Sequence, residues 1–232
     1  MRVVSLVPSA TETLLALGVT PIACTRFCEQ PALATVGGTK DPDVARIIEL
    51  SPDLVVVNDE ENRREDADVL VAAGLALHSM SPRTVETVAD AVAALGAAVG
   101  VPIPAARLPP SSGPAGRVLT FIWRRPWMTM RADTYGASLL ARLGWTDVVG
   151  ATADRYPALD LDAAAALDPD LVVLPSEPYP FGRRHVPEVA RAFPRSRVVP
   201  VDGRDLFWWG IRTPAAAARL AVALADDGTA PH

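Results

Sequence analysis

Two stretches decide how this chain folds: Leu50-Ser-Pro-Asp-Leu-Val-Val56 and Leu167-Asp-Pro-Asp-Leu-Val-Val173. In each, a proline and an aspartate punctuate the chain just before an apolar run. The run is too short for a helix and has the length and branching of a buried strand. The two stretches stand 117 positions apart. Two further echoes keep the same order. Arg2-Val-Val-Ser5 returns as Arg117-Val-Leu-Thr120, and Leu17-Gly-Val-Thr20 returns as Leu143-Gly-Trp-Thr146. Three ordered echoes predict two similarly folded halves.

Working outward, strand-like runs alternate with helical patterns, the signature of an α/β fold. Strands are expected at Arg2–Leu6, Pro21–Cys24, Leu54–Val57 and Ala76–Met80. Helices are expected at Thr11–Leu17, ended by Gly18, at Asp41–Leu50 with Pro42 in the first turn, and at Arg63–Ala73, ended by Gly74. From Thr84 to Val99 apolar residues recur at 85, 88, 92, 95 and 99, the spacing of a helix with one buried face. The segment Val101–Gly116, rich in Pro, Ser and Gly, then breaks the pattern. The expected organisation is an N-terminal α/β lobe over 1–81, a connecting helix and linker over 82–116, and a C-terminal α/β lobe over 117–232. Both lobes should carry mainly parallel sheets.

Composition excludes several classes. The 232 residues are 50% hydrophobic, enough to bury a full core, and the net charge of −5 argues against a nucleic-acid partner. No apolar run reaches the roughly 20 residues of a membrane span, so no membrane insertion is expected. The N-terminus enters a strand pattern with no charged and apolar leader before it. As it stands the sequence reads as cytoplasmic, or as extracytoplasmic if a leader has been removed. Cys24 and Cys28 have C-x3-C spacing, which is neither a zinc ribbon nor a C-x2-C redox pair, and are expected as free thiols.

Ligands of open α/β sheets bind beyond the carboxyl ends of the strands. The segments following the strands here are 25–31, 58–62, 123–128, 175–181 and 202–210. Twelve of the thirteen aromatics lie after residue 116, and Trp123, Trp127, Tyr179, Phe181, Phe207, Trp208 and Trp209 fall in these segments. Core aromatics belong in strands and helices, so this placement predicts an aromatic-walled binding site, with loop packing as the plainer alternative. Prolines 175, 178 and 180 would stiffen the loop that carries Tyr179 and Phe181. Arg124, Arg125, Arg131 and Arg212 offer bidentate contacts to carboxylate or phosphate groups. Cys28, Glu61 and His185 together offer a thiolate, a carboxylate and an imidazole suited to zinc or iron, though with no spacing motif. There is no G-x-S-x-G, P-loop, G-x-G-x-x-G or H-E-x-x-H motif.

The stretches RVVSLVPSATETLLALG, VGGTKDPDVARIIELSPDLVV, NDEENRRED, DTYGASLLARLG and LDPDLVVLPSEPYPF resemble the helical-backbone class of ABC-transporter substrate-binding proteins. Within that class they look most like the vitamin B12-binding proteins and the helical-backbone metal receptors. The resemblance implies two α/β lobes joined by a long helix, with a ligand held between them. Family ligands are corrinoids, iron-siderophores and other iron chelates, haem and bare metal ions, and the family's partner is an ABC permease. Carried over by position, the ligand-binding residues would include Phe27, Tyr156 and the Trp127–Met128 segment. Thr39 stands where B12 binders have a tryptophan. The permease-docking acids would be Asp43, beside Ala45, and Asp162. The resulting expectation is a non-catalytic binding protein for a metal chelate, corrinoid, siderophore or metal ion. The alternative is a cytoplasmic enzyme, or a biosynthetic or metal-handling accessory protein, that reuses the scaffold.

Overall fold

A computed structural model describes residues 1–103, 108, 111–150 and 152–225. Part of the Pro/Gly-rich join (104–107 and 109–110) and the terminal His232 lie outside the described residues. The chain divides into two compact units. Unit 1 comprises Met1–Pro82, Glu86–Arg107 and Trp209–Ile211; unit 2 comprises Arg83–Val85, Leu108–Trp208 and Arg212–His232.

Unit 1 runs β1 (Val3–Ser5), α1 (Pro8–Ala16), β2 (Ala23–Cys24), β3 (Ala34–Thr35), α2 (Val44–Leu50), β4 (Leu54–Val57), α3 (Arg64–Ala72), β5 (Leu77–Ser79) and α4 (Val88–Ala98). Its sheet has the order β3-β2-β1-β4-β5, and every pairing is parallel. Strands buried on both faces must be apolar throughout, and β4 is LVVV with all four residues buried. Val4, Leu6, Ile47, Val55 and Leu70 form its core.

Unit 2 runs β6 (Gly116–Trp123), β7 (Met128–Thr129), α5 (Tyr135–Arg142), β8 (Trp145–Asp147), α6 (Leu161–Ala166), β9 (Leu171–Pro175), α7 (Val186–Ala192), β10 (Arg197–Val201), α8 (Gly203–Phe207) and α9 (Thr213–Ala225). The order is β10-β9-β6-β7, with β8 also on β6. Among these strands only β6 and β7 pair antiparallel.

The sequence echoes are atomic repeats. The Arg2 backbone N–H donates to Asp53 Oδ2 (2.6 Å) and its guanidinium to the Leu50 carbonyl (2.7 Å). The Arg117 N–H donates to Asp170 Oδ2 (2.8 Å) and its guanidinium to the Leu167 carbonyl (2.7 Å). In return the Asp53 and Asp170 amides donate to the Arg2 and Arg117 carbonyls (2.8 and 2.9 Å). Ser51 (φ 45°) and Asp168 (φ 51°) both turn through the left-handed region before their prolines.

Several boundaries differ from the sequence expectations. Helix α1 starts at Pro8, three residues early, because Pro8 suits its first turn while buried Ser9, Thr11 and Thr13 hide the helix from an apolar count. Pro42 is not in α2, whose N-cap is Asp43, accepting from the Arg46 N–H at 3.0 Å. Asp160, at the equivalent place in unit 2, caps α6 by accepting from the Ala163 N–H at 2.8 Å. The expected helix over 84–99 is a 3-10 turn at Val85–Thr87 followed by the eleven residues of α4. Within 202–210, expected to be loop throughout, Gly203–Phe207 is helical, so Phe207 sits on α8.

One half-buried acid offers a test of unit 2. Asp147 ends β8, with Oδ1 accepting from the Val149 N–H at 2.8 Å and Oδ2 buried without a partner. Burial pushes its pKa up to about 7. Because the folded pKa exceeds the unfolded one, Asp147 favours folding while protonated, and that contribution is lost as pH rises through about 7. Asp147→Asn removes the charge. Urea midpoints should therefore favour the variant increasingly from pH 5 to pH 8, and an unchanged difference between the two proteins would refute the assignment.

Candidate functional site

The carboxyl ends of the parallel strands carry the predicted aromatics, and their environments divide them. On unit 2, Phe181 is 4% exposed and joins the core with Leu119, Phe121, Leu174 and Phe193. Trp127 lies flat on it, with ring centroids 5.9 Å apart and planes at 8°, and is tilted on Phe121 at 4.8 Å. Tyr179 packs on Phe181 (4.7 Å) and edge-on to Trp123 (5.6 Å). Tyr179, Phe181 and Trp127 thus meet as a core plug under the loop, with Phe181 sealed from solvent. Trp209, also expected on the site wall, is 4% exposed and belongs to unit 1. There Gly210 (φ 120°) brings the chain onto α1, so close that a Cβ at Gly210 would stand 2.3 Å from Thr13 Oγ1. No other residue fits that position without strain.

Exposure singles out a different trio. Phe27 is 49% exposed, Trp123 41% and Tyr156 39%, while other large apolar residues left this open are aliphatic. Phe27 lies in the 3-10 turn Arg26–Cys28 just after β2 in unit 1, with the Arg26 guanidinium 4.8 Å from its ring centre. Trp123 ends β6 and pairs with Met128 of β7, which bridges Ala158, two residues past Tyr156. Trp123, half-buried Met128 and Tyr156 thus share one end of the unit 2 sheet.

Three of the four arginines proposed for ligand contact already pair with carboxylates of unit 2. Arg124 donates to both oxygens of Glu188 (2.9 and 2.8 Å) and lies over Trp127. Arg131 forks onto Asp133 (3.0 and 2.8 Å), holding that carboxyl below its ordinary range. Arg212 lies 3.7 Å from Asp205 and 5.5 Å over the Trp208 ring. Arg125 is exposed. The Trp208 indole donates to Glu177 Oε2 at 3.0 Å, and Gly203 lets this loop pass, since a Cβ there would lie 2.4 Å from the Glu177 nitrogen.

Among the described residues no group of three His, Cys, Asp or Glu side chains is placed to hold a metal ion. His185 is buried against Tyr179 and Phe181. Its Nδ1 accepts from the Gly182 N–H at 3.1 Å, and Arg184 reaches Nε2 at 3.4 Å. Burial, and then the Arg184 and Arg124 charges, hold its pKa below the ordinary imidazole value. His185 is thus a core residue of unit 2 whose ring nitrogens are met by Gly182 and Arg184. Glu61 is half-buried, with its amide near Asn58 Oδ1 (3.2 Å). Asp43 and Asp162 are exposed on the first turns of their helices.

A polar nest in unit 1 escaped the sequence reading. Thr11 Oγ1 and Thr25 Oγ1 approach Cys28 Sγ to 3.2 and 3.3 Å, and Ser5 Oγ lies 2.8 Å from Thr11 Oγ1. The neighbouring Cys24 thiol and the two threonine hydroxyls, opposed by burial, lower the Cys28 pKa below the ordinary thiol value. Both cysteines are free and buried. The residues meet from separate elements, so no spacing rule could have found them.

Comparison with known proteins agrees with this architecture. A periplasmic binding protein family model matches residues 3–108. A vitamin B12-binding protein of Salmonella typhimurium is 30% identical over 100 residues, covering 41% of this chain and 38% of that protein. The match thus spans well under half of the curated relative. Over nearly the whole chain the fold matches that of the periplasmic vitamin B12-binding protein of Vibrio cholerae, with TM-score 0.78, 16% identity, and 97% of this chain and 96% of that one covered. A periplasmic heme-binding protein from Pseudomonas aeruginosa matches with TM-score 0.77, 24% identity, and 96% and 91% covered. The N-terminal part of the chain is thus similar in sequence to periplasmic binding proteins, and the whole chain has the fold seen in such proteins.

Proposed function

We propose that the protein is a non-catalytic binding protein for a planar metal chelate, of the corrinoid or haem kind, and that it serves ABC-type uptake. The observation that carries this reading is the exposure of Phe27, Trp123 and Tyr156 at the carboxyl ends of parallel sheets whose other aromatics are buried or half-buried. Exposed rings on ordered backbone present flat apolar area at small entropic cost, and each stacked contact contributes on the order of 0.5–1.5 kcal/mol beyond burial. Relatives of the same fold that bind vitamin B12 and heme support a ligand of this shape. Trp127, Met128, Tyr179 and Trp208 would form the half-buried floor beside Trp123 and Tyr156 in unit 2. Arg125 would meet an acidic substituent. Asp162, with Asp43, would face the permease, and Asp43 would keep its capping bond.

Phe181 separates this reading from loop packing. Haemin and cyanocobalamin serve as probes, followed by tryptophan quenching and by their own absorbance. Tyr156→Ala and Trp123→Ala should each weaken binding of the better probe by roughly 1–3 kcal/mol with an unchanged melting temperature. Phe181→Ala should instead destabilise the fold by about 3–5 kcal/mol, the usual cost of emptying a core aromatic site. If neither probe binds, or if the Tyr156 and Trp123 variants bind as wild type does, the proposed site is wrong.

A further inference from the structure

We propose that unit 1 receives a carboxylate at the rim of the planar ligand and that Arg26 selects for it. Resting on the chelate reading, this narrows the ligand to rings with acidic edges, such as haem, over rings edged with neutral amides, such as cobalamin. Arg26 is ordered from three sides. Its backbone N–H donates to the Gly37 carbonyl (2.9 Å). Its Nη2 donates to both oxygens of Asp41 (3.0 and 3.1 Å), and the guanidinium carbon lies 4.8 Å from the Phe27 ring centre. The turn that carries Asp41 is closed by the Gly38 N–H on the Asp41 carbonyl (3.2 Å). A Cβ at Gly38 would stand 2.3 Å from Asp41 Oδ1 and 2.7 Å from Arg26 Nη2, so a larger residue there would push the pair apart.

Stability does not account for this arrangement. The two side chains are 50% and 63% exposed, and an exposed ion pair returns little against the rotamer freedom that an arginine gives up. What the turn provides is a guanidinium fixed beside an exposed ring, with its ordering cost met before a ligand arrives. Among the described residues Asp41 is the one side-chain acceptor on Arg26, and it engages Nη2 alone. The Nε and Nη1 N–H groups are left to donate. A ligand ring packed on the exposed part of Phe27 comes within reach of these donors. There a carboxylate gains a charge-assisted hydrogen bond, whereas an amide or ester gains a weaker one.

The test titrates the full chain with haemin, with haemin dimethyl ester (the same ring with both carboxylates capped) and with cyanocobalamin, following absorbance. The wild type should bind haemin roughly tenfold more tightly than the ester, and more tightly than cyanocobalamin. Arg26→Gln should lower haemin affinity about tenfold, the worth of one hydrogen bond between charged partners, and ester affinity far less. Arg26→Lys, which keeps the charge without the planar donors, should fall between. A haemin-to-ester ratio unchanged by Arg26→Gln, equal binding of the two rings by the wild type, or tighter binding of cyanocobalamin would each overturn the role of Arg26 while leaving the chelate site standing. Binding of none of the three would overturn the chelate reading, and the role of Arg26 with it.

Discussion

The clasp at the amino ends of the central strands is the constraint on which both units depend. In each, an arginine at the start of the first strand and an aspartate before its neighbour exchange backbone and carboxylate hydrogen bonds (Arg2 with Asp53, Arg117 with Asp170). The guanidinium then reaches back to the end of the preceding helix or turn, at Leu50 or Leu167. Parallel strands share no turn, so nothing in their connection fixes register, and a slip of one residue would send every side chain to the opposite face. The clasp is exposed and contributes modestly to stability, but it sets β1 against β4 and β6 against β9 residue for residue. Everything at the far, carboxyl ends follows from that alignment.

At those ends the same residue type has two fates. The loop after β9 turns Phe181 inward, where it completes a core with Phe121 and Phe193 and gives Trp127 a flat surface to lie on. Trp123 and Tyr156 are left outward on the same unit, and Phe27 outward on the other. Burying one aromatic from a loop anchors that loop, and a neighbouring ring can then stay exposed without the backbone collapsing over it. The internal ion pairs of Arg124, Arg131 and Arg212 serve the same end, since they hold loop backbone in place. A binding surface needs both kinds of residue, and the ordering contacts reduce the entropy lost when a ligand arrives.

Much of this was legible in the sequence. The repeated Leu-x-Pro-Asp-Leu-Val-Val stretch marks a left-handed turn, a clasping acid and a buried strand in one motif, so the α/β class and parallel sheets could be read directly. Residues in loops could not be sorted the same way. Phe181 and Trp209 were expected on a binding wall because periodicity says nothing about which way a loop side chain points, and both are core. His185 was a candidate ligand by chemistry, yet its ring nitrogens are met by Gly182 and Arg184. Helix α8 was hidden in an aromatic stretch too short to show a period, and the Thr11, Thr25, Cys28 nest is assembled from distant positions. Local signals located the frame, while long-range packing decided the site.

Peptide-resolved hydrogen–deuterium exchange of the full chain, with and without haemin at saturating concentration, tests the central claim most directly. The account predicts added protection in peptides covering 25–31, 123–128 and 152–158, at the carboxyl ends of the sheets. It predicts no change around Arg2, Asp53, Arg117 and Asp170, where the clasps already hold the strands. Protection confined to the clasp ends, or absent from the aromatic loops despite bound haemin, would contradict it.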